Sequence, residues 1–497
     1  MNSNQLTGLL LLLVCFTGYY LAWIQYQKKN FNIAVGLLVL LGLILRVYAS
    51  CDFYLHFWDE RYHALVAKNL INHPLLPTLY DNAIFQYDYM NWASNHVWLH
   101  KQPFPLWSMA LSMQLFGCNE IALRLPSILL TSLGIFLTYS IGKYFFSRNV
   151  AIISAFFNSI NGLILSLSSG RVTTDHIDSF FLFFIELSVF FVIQYVKSKK
   201  QMFNLFAGIC MGISVLCKWL PGLIVIPIWL CLVLHSEKNF NKTVFKDFVK
   251  FFSLALIIFL PWQIYILARF PQEAAFELGF NIRHLTETIE THTGSIFYYF
   301  NKLRINYGEL VYLPLIWLIY SVYKADAKYK LLSLAIWIFV PLIVFSFAQT
   351  KMQAYIAFIA PAIFIVTAAF IEYLKELKIE WKIYKTTIKL IILALVVLPI
   401  RYTIERLKPL ESKNRIPENI IALKKISNVY NNAIMFNYDD PISAMFYTNM
   451  TVYSFIPDQQ TIDSLKNNGY KILISSVVEP DTFRLENVEV IHLASMK

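Results

Sequence analysis

Long apolar runs dominate this chain. They lie near positions 9–24, 31–49, 121–142, 149–168, 178–196, 201–217, 221–235, 250–268, 308–323, 331–348, 353–374 and 387–402. Each is about as long as a helix needs to cross a bilayer, or slightly short. The pattern therefore predicts twelve spanning helices. The first run is followed, not preceded, by its positive charges, Lys28 and Lys29. A cleaved signal peptide has the opposite order, so this run reads as a retained span with its N-terminus outside. A polar, aromatic-rich stretch at 51–117 separates the second run from the third. From about position 401 the apolar runs shorten to 433–438, 451–456, 471–478 and 488–494, with helix-like segments 440–449 and 458–468 between the first three. Strands alternating with helices predict a small α/β domain with a partly parallel sheet. The expected organisation is an α-helical polytopic body over 1–402 and a small extracytoplasmic α/β domain over 403–497.

Composition agrees. Of 497 residues, 57% are hydrophobic, 16% aromatic and only 15% charged. That excludes a disordered or fibrous chain and an ordinary soluble enzyme. The net charge of +11 would raise nucleic acid as a partner of a soluble protein. Here the cations instead alternate between loops. Lys28 and Lys29; Lys143 and Arg148; Lys197, Lys199 and Lys200; Lys238, Lys242, Lys246 and Lys250; Lys324, Lys328 and Lys330; and Lys375, Lys378, Lys382 and Lys385 mark every second connection. The positive-inside rule then places 51–117, 169–177, 270–306, 349–352 and the tail outside. No nucleic-acid partner is expected. The six cysteines form no CxxC pair, and a Cys51–Cys118 bridge near the membrane edge stays open.

Ionisable residues gather in the loops read as external. The first loop holds Trp58-Asp59-Glu60-Arg61-Tyr62-His63, an acid pair that can supply a general base or be merely solvated. The same loop closes with His100-Lys101-Gln102-Pro103-Phe104-Pro105. Its prolines predict an extended entry into a short amphipathic surface helix, with Lys101 at headgroup level to meet a lipid phosphate or simply to snorkel. The next loop crowds Arg171, Asp175, His176 and Asp178 beside the hydrocarbon, where charges are paired or functional. In 277–295, Glu277, Arg283, His284, Glu287, Glu290 and His292 recur. His292 with Glu290 is a candidate for a divalent metal. Lys351 and Tyr355 stand at a later helix start. Arg61, Lys101, Arg171, Lys218, Arg283 and Lys351 all break the inside rule, which an anionic ligand shared among them explains.

Asp59-Glu60 in a long first loop, Lys101-Gln102-Pro103 closing it, Arg171…Asp175 on the next outer turn, and Lys351…Tyr355 followed by Pro361 together resemble the GT-C glycosyltransferases. More narrowly, they resemble the protein O-mannosyltransferases and aminoarabinose lipid A transferases over about 50–370. The resemblance implies a polyprenyl-phosphate sugar donor and an active site on the outer face of the membrane. It matches Asp59 to the base or acceptor-positioning aspartate, Lys101 to the lysine on the donor phosphate, Asp175 to a second acid, and Tyr355 to a tyrosine near the lipid phosphate. Glu60 joins Asp59 and Asp175 as a catalytic candidate. Arg171, Arg283 and Lys351 are phosphate helpers, and Tyr62, His63, His100 and Asp178 are candidate acceptor or sugar contacts. The chain departs from the family at Gln102, where proline is frequent, at His100, where an acid is common, and at Tyr62, where those enzymes place arginine. No cofactor is required by this chemistry. The expected partners are the lipid-linked donor, membrane lipids, and a lipid, glycan or protein acceptor. A bacterial plasma membrane is the expected location. The competing class is a transporter or flippase, which would show matching broken helices and charges at mid-membrane.

Overall fold

The computed structural model describes residues 3–326, 328–378, 380–430, 433–476 and 485–493. Among these, ten helices are long and apolar enough to cross a membrane, or up to twelve if each of two bent pairs is one span. The bent pairs explain the count read from the sequence. Run 149–168 is helix Arg148–Ile160 followed by Gly162–Ser168 at 50°. The break falls at Asn161, whose side chain caps the second piece by accepting from Ile164 N. The second pair, Tyr298–Tyr307 and Glu309–Lys324, bends by 116° at Gly308, which has φ +94°. Its first half, and helix Pro271–Thr286, fall in a stretch that the hydropathy pattern left as loop.

Two compact units divide the chain. The first comprises 1–50, 101–105 and 124–412; the second comprises 51–100, 106–123 and 413–497. The first is a helical body. Helix Asp175–Ser198 and the segment Gln353–Glu376 are its centre, the latter 94% buried, whereas Ser3–Gln27 and Lys382–Leu407 are 17% and 11% buried and present apolar sides outward. Between lipid-like surfaces close backbone packing helps to hold helices together. Gly208 and Gly212, four apart on helix Gln201–Lys218, supply it: a Cβ there would lie 2.3 Å from Phe251 O and 2.8 Å from Ala255 O.

Polar side chains add a buried tie that the sequence reading did not pick out. Arg46, on helix Phe31–Ala49, is fully buried. Its Nε donates to Thr131 Oγ1 at 2.8 Å and one Nη to Asn158 Oδ1 at 3.3 Å. Asn158 Nδ2 donates to Thr138 Oγ1 at 2.8 Å, and that hydroxyl donates to the buried Glu186 carboxylate. Four helices are thus joined from a guanidinium to a carboxylate.

The second unit is built around a parallel sheet. Strands β1 (Ala433–Phe436), β2 (Thr451–Val452), β3 (Lys471–Ser476) and β4 (Glu489–His492) lie in the order β2-β1-β3-β4, every pair parallel. The sheet expected to be partly parallel is wholly so among the described residues; positions 477, 478 and 494 of the anticipated runs lie outside them. Helices Pro441–Tyr447 and Gln459–Asn467 make the crossovers, each opened by an aspartate cap, Asp440 and Asp458. Helix Asp59–Leu70 packs in the same unit. Its Lys68 ammonium donates to the carbonyls of Met445, Phe446 and Thr448 at 2.8, 3.0 and 2.6 Å, closing the end of Pro441–Tyr447. Burial pushes that lysine's pKa down to about 8. Helix Pro103–Phe116 takes up Pro103 and Pro105 in its first turn, where a proline's missing N–H costs nothing, in place of the extended entry read from the sequence. It is not amphipathic, however: Met109 and Met113 are buried while Leu111, Leu115 and Phe116 are exposed. All six cysteines are free.

Removing one end of the Arg46–Glu186 chain leaves a charge in an apolar interior, a loss of about 3–5 kcal/mol. Arg46→Met or Glu186→Leu should each lower the thermal midpoint of the detergent-solubilised protein sharply, and the double substitution should recover much of it. Wild-type stability in either single variant would show that the chain is not a tie.

Candidate functional site

In the helical unit, a tight turn positions one group of candidate residues. Thr174 has φ +67° and Asp175 φ +20°, conformations a β-branched or acidic residue adopts only under constraint. The turn opens helix Asp175–Ser198 with Asp175 and Asp178 in its first coil, where the positive helix end favours them. Both are fully buried. Asp175 accepts from the His176 backbone N–H, and the His176 ring lies 2.9 Å from Ser127 Oγ. Asp178 accepts from Thr174 Oγ1 and pairs with Lys218. The lysine ends its own helix, and the next residue, Trp219, has φ +65°, ψ −150°, a region natural to glycine. Strained residues, Thr174 and Asp175 on one side and Trp219 on the other, therefore flank one ion pair, each costing about 1–3 kcal/mol.

The Lys218 ammonium also sits 4.7 Å from the Tyr355 ring centre, and Tyr355 packs on Phe345 at 5.6 Å. Lys101 lies within electrostatic reach of both Asp178 and Glu277. Beside it Gln102 accepts from Gln263 Nε2 at 2.8 Å. Glu277 is buried on helix Pro271–Thr286. Burial pushes its carboxyl up to about 7, against the opposing pull of Lys101, His284 and Arg283. Burial likewise lowers His284. The arrangement brings Lys101, Asp178, Lys218, Glu277, Arg283 and Tyr355 into one electrostatic neighbourhood. Lys218 and Glu277 were noticed in the sequence only as a misplaced cation and a loop acid; the signal that marks them, a buried partner of opposite sign, exists only in three dimensions.

Lys351 behaves differently. Its ammonium donates to Ala348 O at the end of the preceding helix, and its backbone N–H to His292 O at 2.9 Å. Thr350 N–H donates to His284 O at 3.0 Å and Gln349 N–H to Leu285 O at 3.1 Å. The connection 349–351 is thereby sewn to 284–292. Arg171 is half-buried on the Gly170 turn. The suggested metal finds no support: among the described residues no three His, Cys, Asp or Glu side chains gather to hold one. Glu290 is exposed, and two donors fall short of the usual coordination.

In the second unit, helix Asp59–Leu70 starts on the acid pair, and its two carboxylates have unlike surroundings. Glu60 is buried; its Oε2 accepts from the His56 backbone N–H at 2.7 Å and meets His56 Nδ1 at 2.6 Å. The other ring nitrogen faces Asp52 at 3.3 Å, which also meets Lys413 at 3.2 Å and Arg415 at 3.8 Å. Asp59 is only half-buried, beside the exposed Trp58. Arg61 pairs with Asp440 at 2.8 Å and lies over the Phe57 ring at 4.0 Å. Tyr62 packs on Trp92 at 4.8 Å, Trp92 stacks on His100 at 4.6 Å, and the buried His63 lies 6.0 Å from Trp98. Tyr62, His63 and His100 are thus joined through two tryptophans.

Residues 100–265, a span that includes Lys101, Arg171, Asp175, Asp178 and Lys218, match the family described as dolichyl-phosphate-mannose-protein mannosyltransferase. ArnT from Cupriavidus metallidurans, solved bound to undecaprenyl phosphate, superposes with a TM-score of 0.63 at 16% identity, covering 90% of this chain and 93% of that one. The fold is that of the GT-C glycosyltransferases. A second GT-C neighbour is the archaeal oligosaccharyltransferase AglB from Archaeoglobus fulgidus, solved with an inhibitory peptide and a dolichol-phosphate. It gives a TM-score of 0.53 at 12% identity, covering 86% of this chain and 65% of that one. A protein of Aquifex aeolicus (strain VF5), described only as uncharacterized, is 26% identical over 290 residues. That match spans 56% of this chain and only 55% of the relative.

The raised Glu277 fixes a pH dependence. Its folded pKa exceeds the value of 4.5 for a free glutamate. Its stabilising contribution is complete below that value and is lost as pH rises through about 7. Thermal midpoints of wild type should therefore fall between pH 5 and 7 relative to those of Glu277→Gln. Parallel curves for the two proteins would place Glu277 in a solvated setting.

Proposed function

We propose that the protein is a membrane glycosyltransferase that moves a sugar from a polyprenyl-phosphate donor to an acceptor hydroxyl on the extracytoplasmic face of a bacterial plasma membrane. The observation that carries the reading is the cluster of Lys101, Lys218 and Asp178 in a GT-C body, inside the segment that matches the mannosyltransferase family. ArnT's structure with undecaprenyl phosphate and AglB's with dolichol-phosphate support a lipid phosphate as the donor's leaving group.

Such a phosphate departs as an anion. It needs positive charge and no proton, so a single carboxylate base suffices, unlike the paired acids of glycosidases. Lys101 is the proposed grip on the phosphate, with Arg171 and Arg283 as helpers. Lys218 is already matched by Asp178, which suits it to shaping the pocket with Tyr355. Asp59 takes the proton from the acceptor hydroxyl. The freed oxygen attacks the anomeric carbon, the bond from that carbon to the phosphate oxygen breaks, and the configuration inverts. Asp59 is preferred to Glu60 because it is half-exposed, whereas the Glu60 carboxylate is buried against His56 at the helix start. Asp175 and Asp178 order the turn that bears them.

The buried Arg46 and Glu186 are charges that a transporter would also carry. The hydrogen-bond chain that joins them favours a structural role. Flux in sealed vesicles without covalent transfer would instead establish transport.

Purified protein in detergent should transfer radiolabelled sugar from a polyprenyl-phosphate donor. Asp59→Asn should lose about 10²–10⁴-fold in turnover while remaining folded and inserted; near-normal turnover would remove Asp59 from the reaction. In Lys101→Ala, donor affinity should fall more than turnover at saturating donor, and unchanged affinity would refute the phosphate contact.

A further inference from the structure

The second unit holds a cleft whose lining contributes none of the residues assigned to the transfer step. It has a volume of about 710 Å³ and opens between segment 82–85 and helix Gln459–Asn467. That size suits a small organic ligand. Three carboxamides, Asn82, Gln460 and Asn468, line it with the hydroxyls of Thr461 and Ser464. Phe85 and Tyr470 supply two rings, and among the described residues none that lines it is charged.

The lack of charge is a property of the helix face. Gln460, Ser464 and Asn468 recur every four residues and so share one side. The helix's acid and base are engaged elsewhere. Asp463 accepts from Gln459 at 2.9 Å and Asn487 at 3.2 Å, and Lys466 donates to Asn487 at 2.8 Å. A helix face left to water normally carries charges; this one offers only neutral donors and acceptors. The opposite wall is preformed. Ile84 N–H donates to Tyr453 OH at 3.0 Å, and Phe85 packs against Tyr453 and Phe455 at 4.9 and 5.2 Å. A wall ordered in advance costs little to use.

Carboxamides both donate and accept, which suits a ligand dense in hydroxyl groups, and rings suit its C–H faces. A phosphate or acidic sugar would call for cations. We infer that this cleft binds an uncharged oligosaccharide and that this glycan is the acceptor. The word acceptor rests on the transferase reading; the binding site itself does not.

The test is direct binding without donor. The full chain in nanodiscs is screened against short neutral and acidic oligosaccharides, and the best neutral one is titrated. Neutral glycans should be retained. Gln460→Ala combined with Asn468→Ala should weaken binding about tenfold or more, and Ser464→Trp, which fills the cleft, should abolish it. Lys466→Ala, on the same helix but outside the cleft, should bind as wild type. The inference is overturned by retention of acidic glycans alone, by equal binding in the cleft variants, or by no saturable binding of neutral glycans up to about 10 mM. Binding without sugar transfer would sink the transferase reading and leave the cleft standing; transfer without binding would do the reverse.

Discussion

A charge surrounded by hydrocarbon must be answered by an opposite charge or by a full set of hydrogen-bond partners, and this requirement orders the helical unit. Asp178 is fully buried and is answered by Lys218. Holding that pair requires two backbone conformations that Thr174 and Trp219 would not choose alone. Strain is tolerated where surrounding packing over-determines the geometry, and Tyr355 and Phe345 provide such packing. The same rule explains the distant chain from Arg46 to Glu186. There four helices, not a strained turn, bring the partners together.

Adjacent acids acquire different properties from their surroundings. Glu60 faces inward and completes the start of its helix with His56, while Asp59 remains half-open to solvent. Burial raises the Glu277 carboxyl to about 7 despite Lys101, His284 and Arg283 around it. The ammonium of Lys351 is engaged by the end of the preceding helix. Cations that look alike as exceptions to a charge rule thus have unlike settings: Lys218 pairs with Asp178, Arg61 with Asp440, and Lys351 with a backbone carbonyl. A GT-C body supports more than one chemistry, so the fold leaves sugar and acceptor to the detail of the sites.

Much of this was legible in advance. The apolar runs located the spans because a bilayer admits few alternatives to a helix. The alternating short runs of the tail foretold strands and crossovers, whereas their aspartate caps, Asp440 and Asp458, came from the structure. The loop motifs carrying Asp59, Lys101, Asp175 and Tyr355 stood out because charges were scarce around them. Helices Pro271–Thr286 and Tyr298–Tyr307 were not legible. Neither is a long apolar run, so hydropathy carried no signal for them. Arg46 and Glu186 were passed over because each is a single polar residue inside an apolar run, and its significance lies in a partner more than a hundred positions away.

Composition and periodicity by themselves determined a multi-span helical protein with a small α/β tail, since both follow from local hydrophobicity and chain geometry. Only the tertiary structure decided that the tail shares its compact unit with the first long loop, through contacts such as Lys68 to Thr448 and Arg61 to Asp440. It alone decided that Lys218, absent from every motif, belongs with Asp178. Pairings between distant residues depend on how helices pack, and packing depends on shapes and distances that no local pattern encodes.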